Sequence, residues 1–227
     1  MDMAGPTATN TGRLRMHTDA GLLTLAQWLS PAYPIGAFAW SHGIEQAIRD
    51  EQIRDAGTLQ AWLRTCLTEG AGRTDAIWLR LAFGAGDVTE IDAQARAFAP
   101  SAERLSETVR QGRAFVHTTN AVWELDLPGL TLPVATGRAA HLMNLDIDAC
   151  VLLYLQSFLS NLVSAALRLM PLGQTDGQRV LAALQGDLRR VEAETRGAEL
   201  NDVFSNAFLS DIASMRHETL EPRLFQS

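Results

Sequence analysis

From Ala149 to Leu167 the chain runs 19 residues without a charged side chain. A run of that length can be read as a membrane span. Gln156, Ser157, Ser160, Asn161 and Ser164 interrupt it. Four of these, Ser157, Ser160, Asn161 and Ser164, recur at helical i, i+3, i+4 and i+7, one narrow polar stripe on an otherwise apolar helix. A helix apolar nearly all round is either a membrane span or the centre of a bundle. No aromatic belt flanks this one, and no second span accompanies it. It therefore reads as the buried central helix of a bundle, about residues 147–170, capped by Asp146 and stopped at Pro171-Leu172-Gly173. The small polar stripe would let a neighbouring helix approach closely.

The rest of the chain supplies helices to wrap around it. A first helix is expected over Leu22 to Leu29. Leu59, Trp62, Leu63, Cys66 and Leu67 keep a 3.6-residue period behind a Thr58 cap, and Ile77, Trp78, Leu81 and Ala82 resume it after Thr74. A short helix around Ile91 to Phe98 closes at Pro100, and Ser101 opens a longer one through Val116. The pattern weakens between Thr118 and Pro133, where one helical turn at Val122 to Leu125 and then a loop are expected. Pro133 suits the first turn of a helix to about Asn144, since proline there loses no hydrogen bond. Thr175 and Gln178 have capping-box spacing ahead of Val180, Leu181, Leu184, Leu188 and Val191. Leu200, Val203, Phe204, Ala207 and Phe208 form the last periodic set. The best strand candidate, Leu130 to Val134, contains a proline. The expected fold is all-α: one domain over residues 19–227, of roughly eight to ten helices, after a disordered leader, residues 1–18.

Composition narrows the function. Hydrophobic residues make up 47% of the 227-residue chain and charged residues 20%, enough apolar material for a sizeable core. Nineteen basic against 26 acidic residues give a net charge of −7, and every basic residue is arginine. An acidic chain without a basic cluster lacks the electrostatic footprint of a nucleic-acid or anionic-membrane binder. Lacking lysine, it can form neither a Schiff base nor a P-loop Gly-Lys-Ser/Thr site. Cys66 and Cys150 lie far apart among aliphatic neighbours and read as reduced core residues. The leader has no apolar core of a signal peptide. A soluble cytoplasmic protein is expected.

No catalytic constellation surfaces. None of His17, His42, His117, His141 and His217 forms His-x-x-x-His. His42-x-x-Glu45 occurs once and in the reverse order of a di-iron Glu-x-x-His, so local hydrogen bonding is the plainer reading. Gly84-Ala85-Gly86 is a helix end rather than a phosphate loop. No cofactor or metal set is expected.

Two segments point to surfaces instead. Residues 30–45 crowd Tyr33, Phe38 and Trp40 among Pro31, Pro34 and Gly36, with Ser41 placed to cap the next helix. This is either a buried aromatic plug or, exposed, a partner site. Residues 211–227 end in Leu224-Phe225 after Pro222, where chain ends are usually polar. That segment reads as a tail that orders on docking, or as one folded onto its own core.

These segments carry a resemblance to the UreF family of urease accessory proteins. The family's Pro-x-Gly-x-Phe/Tyr-x-Tyr/Trp-Ser-x-Gly-Leu-Glu is matched by Pro34, Gly36, Phe38, Trp40, Ser41, Gly43 and Glu45, with Ile44 in place of leucine. Arg168-Leu169-Met170-Pro171-Leu172-Gly173-Gln174 matches a second motif. Ala213-Ser214-Met215-Arg216-His217-Glu218-Thr219 and Arg223-Leu224-Phe225 match the family's ending; the chain departs at Leu220-Glu221-Pro222 and at Gln226. Residues 71–131 carry no recognisable motif. The resemblance implies an all-helical, non-catalytic protein, homodimeric within its complex. It would bind a UreD/UreH-type accessory protein, recruit the nickel-carrying GTPase UreG and dock on apo-urease, coupling GTP hydrolysis to nickel insertion. It makes Pro34, Gly36, Phe38, Trp40, Ser41, Gly43, Glu45, Arg216, His217, Glu218, Arg223, Leu224 and Phe225 candidate partner-binding residues. The alternative from another class is an all-helical metal- or cofactor-dependent enzyme of the oxygenase or thiaminase type, which would need convergent polar residues inside the bundle.

Overall fold

The computed structural model describes residues 19–227; the leader and His17 lie outside them. Ten α-helices and no strand occur among the described residues: α1 Asp19–Trp28, α2 Ile44–Arg49, α3 Ala56–Thr68, α4 Ala71–Gly84, α5 Thr89–Ala97, α6 Ala102–Trp123, α7 Leu132–Leu142, α8 Ile147–Leu169, α9 Gln174–Glu194 and α10 Phe208–His217. Two short 3₁₀ turns, Ala37–Ala39 and Leu200–Asp202, complete the set.

The uncharged run is α8. Asp146 caps it by accepting from the Ala149 N–H at 2.9 Å. It is long and apolar enough to cross a membrane, yet half of its most apolar stretch is enclosed by the fold. α1, α2, α3, α4, α7 and α9 all pack against it. Leu155, Leu159, Ala165 and Ala166 are fully buried there. Beyond it, α4 lies along α7, where Gly137 sits against the Leu79 carbonyl. At the polar stripe, the Asn161 amide reaches the carbonyl of Trp40, just past the first 3₁₀ turn, at 3.5 Å.

Several elements differ from their sequence expectation. α6 continues to Trp123 instead of breaking at Thr118. Phe115, Val116 and Thr119 keep its inner face buried, and Trp123 stacks edge-on to Trp28, so packing overrides the weak local propensity. α3 starts three residues early: Asp55 is the cap, and Thr58 is its reciprocal partner at the third helical position. α4 likewise opens at Ala71, before Thr74. Thr175 caps nothing, because α9 begins at Gln174 behind Gly173, which supplies no side-chain cap. The Leu200–Phe208 periodicity does not become a helix. Glu199 and Asp202 close a 3₁₀ turn reciprocally, the Asn206 N–H donates to the Glu69 carbonyl, and Ser205 bonds Asp211. Short polar side chains thus offer the backbone alternatives to helical bonding. The final helix is displaced to α10, and Leu200, Phe204 and Phe208 face solvent. Leu130 to Val134 leads into α7 and is no strand, and both cysteines are buried and free.

Candidate functional site

The two segments singled out by sequence meet along one seam. Residues 30–43 pass over α8, and the tail after α10 returns to lie against them. The Gln226 N–H donates to the Ala39 carbonyl at 2.9 Å, and the Ser41 N–H donates to the Ser227 carbonyl at 2.8 Å. The Ser41 hydroxyl also donates to that carbonyl, and the His42 N–H donates to the Ser227 hydroxyl at 3.1 Å. In turn the Ser227 hydroxyl donates to Glu107 on α6 at 3.1 Å. The tail is therefore folded on its own core: Phe225 is 5% exposed and Ser227 buried completely. This corrects the expectation of a segment left unordered until docking. The paired backbone groups and the Phe225 ring give the chain enough to hold it.

Glu45 is the hub. One carboxylate oxygen accepts from the Leu224 N–H at 2.8 Å; the other accepts from the Phe225 N–H at 2.9 Å and faces Nε2 of His217 at 3.2 Å. Nδ1 of His217 faces Glu103 of α6 at 2.7 Å, and Arg223 donates to the other oxygen of Glu103. Glu45 does not bond His42 as its spacing suggested; the rings and carboxylates of that motif turn to different neighbours. Gly43 explains how α2 and α10 come so close. Its φ is +78°, and a Cβ there would stand 2.8 Å from the Ser214 backbone nitrogen. Gly36 shares the left-handed conformation at φ +72° but opens on free space.

The thirteen candidates divide by burial. Pro34, Phe38, Arg216, Glu218, Arg223 and Leu224 are exposed, with Phe38 at 71% and Leu224 at 79%. Trp40, Ser41, Gly43, Glu45, His217 and Phe225 are enclosed by the chain's own atoms, and Gly36 is half-buried. Arg216 pairs with Asp50 at 2.6 Å, and Glu218 accepts from the Ala102 N–H at 2.8 Å at the start of α6. The aromatic segment is part plug and part surface: the Tyr33 hydroxyl bonds Thr119 at 2.8 Å, while Phe38 faces outward. Sequence reasoning missed Glu103 and Glu107, which look like ordinary helix acids, and the role of Arg168. That guanidinium donates to the Phe38 carbonyl at 2.7 Å and lies 4.3 Å over the Phe225 ring, linking α8 to both segments. Its place in the second motif was the available signal.

Beside the seam α10 carries an outward apolar stripe: Phe208, Leu209, Ile212 and Met215 are all well exposed. Behind it lies a cavity of about 400 Å³ lined by His42, Asp75, Trp78, Arg104, Phe98 and Asp211. Burial pushes the Asp75 carboxyl up to about 6, and burial, aided by Arg104, holds the His42 imidazole well below its ordinary range. Asp75 also accepts from the Tyr154 hydroxyl at 2.8 Å. No group of three His, Cys, Asp or Glu among the described residues is arranged to hold a metal ion.

Residues 53–185 match the model of the UreF family. A urease accessory protein UreF of Roseobacter denitrificans is 48% identical over 220 residues, covering 96% of this chain and 99% of that protein. One from Cereibacter sphaeroides is 50% identical over 208 residues, covering 92% and 99%. One from Ruegeria sp. is 50% identical over 213 residues, covering 92% and 100%. A family match across most of the domain, with relatives near half identity over almost their whole length, shows that this chain belongs to the UreF family of urease accessory proteins.

Proposed function

We propose that the chain is a non-catalytic accessory subunit of urease maturation in the cytoplasm, and that the seam between the 34–45 segment and the tail is its docking face for a UreD/UreH-type protein. In this reading the subunit is homodimeric within the complex, where it recruits a UreG-type GTPase. The assembly docks on apo-urease and couples GTP hydrolysis to nickel insertion. The observation that carries the reading is the exposure of Phe38 and Leu224 on two segments that the backbone stitches together. Large apolar side chains held outward on an ordered frame, next to the exposed stripe of α10, have the make-up of an interface centre.

The test uses the exposed residues, because they can change without disturbing the core. Phe38→Asp and Leu224→Asp should leave the melting temperature within the few tenths of a kcal/mol typical of surface changes. Each should lower co-purification with the UreD-type protein about tenfold or more. Undiminished capture by the double variant would overturn the reading.

A further inference from the structure

Resting on that docking reading, we propose that His217 is a positioning residue of the seam: clamped between Glu45 and Glu103, it fixes the carboxylate on which the Leu224–Phe225 backbone is templated. His217 is 0% exposed, and each ring nitrogen faces a carboxylate oxygen, at 3.2 Å on Glu45 and 2.7 Å on Glu103. The oxygen of Glu45 on the ring also takes the Phe225 N–H, while its other oxygen takes the Leu224 N–H. Glu103 takes the Arg223 guanidinium on its second oxygen. The ring is thus held at both nitrogens, and each carboxylate it faces takes further donors from the tail.

The neighbouring charged groups are already engaged: Arg104 with Glu107 on α6, and Glu218 with the Ala102 N–H. With both amides held on Glu45, the Phe225 side chain enters the core and that of Leu224 is presented outward. The exposed residue of the docking face is thus aimed by a histidine that no partner can touch.

The experiment measures hydrogen exchange of the full chain, in which the Leu224 and Phe225 amides should be protected along with those of α8. His217→Gln and Glu45→Gln should each speed exchange at those two amides about tenfold or more, the scale of one charge-assisted bond. Arg216→Gln, on the adjacent exposed position, should not. Unprotected Leu224 and Phe225 amides in the native chain would overturn the proposal without recourse to any variant. So would unchanged amide protection in a folded His217→Gln protein. Partner capture separates the two readings: if the clamp behaves as stated but neither Leu224→Asp nor His217→Gln weakens capture, the docking reading fails and the clamp stands.

Discussion

Glu45 shows how one residue can organise a surface without belonging to it. Read in sequence, it is the fourth member of a His-x-x-Glu spacing on a short helix. In the fold it receives two tail amides and a histidine from α10, partners more than 170 positions away. No local pattern encodes such a partner, so the residue was legible as special only through its motif. Gly43 is the complementary case, where backbone shape is what matters. A methyl group there would meet both an unfavourable φ of +78° and the Ser214 backbone at 2.8 Å, whereas at Gly36 it would meet only the φ of +72°. The left-handed conformation alone costs roughly 1–2 kcal/mol for a residue with a Cβ. Overpacking against backbone adds roughly 1–3 kcal/mol. Gly36→Ala is thus expected to lower stability by about 1 kcal/mol and Gly43→Ala by about 3 kcal/mol, read from denaturant midpoints. Equal losses at the two positions would show that the close approach of α2 to α10 is not tight.

At the scale of elements, what could be read from sequence follows from how locally each helix is specified. α8 was legible from end to end, because its cap, its uncharged face and its stop lie within the same stretch of chain. The capping of α6 by Ser101 and the proline in the first turn of α7 were legible for the same reason. The start of α9 was not. Thr175 and Gln178 have the spacing of a capping box, but the helix already begins at Gln174, so the threonine lies inside the first turn. The region of α10 misled more seriously. Leu200, Phe204 and Phe208 keep a helical period, and periodicity cannot say whether the apolar face has a core to meet. Here those side chains face solvent, and the chain spends its polar groups on turns instead. A pair of substitutions tests this account of the caps. Asp146→Ala removes the acceptor for the Ala149 N–H and should cost about 1 kcal/mol. Thr175→Ala should change stability by only a few tenths of a kcal/mol. Circular dichroism melts of the two variants give the comparison, and equal shifts would restore Thr175 as a cap.

For the molecule as a whole, the tail is both structure and surface, and this dual role decides how its removal should be read. Deleting residues 222–227 takes the buried Phe225 ring out of the core and removes the acceptor of the Ser41 N–H. It also strips Glu45 of two amide donors. Burial of a phenylalanine side chain contributes roughly 1.5–3 kcal/mol. Each buried group left without a partner costs roughly 1–3 kcal/mol more. The truncated chain should therefore melt earlier, with a loss of order 3–5 kcal/mol, and should also fail to capture a UreD-type partner. Truncation alone cannot separate lost docking from lost folding, because both follow from the same seam. Single substitutions can. Phe225→Ala should reproduce most of the stability loss, since the ring packs inward beneath Arg168. Leu224→Asp should reproduce the loss of capture while the melting temperature holds, since that side chain makes little contact with the core. If instead Phe225→Ala leaves the melting temperature unchanged, the tail is not part of the folded core in solution. The docking face would then be assembled only when the partner arrives.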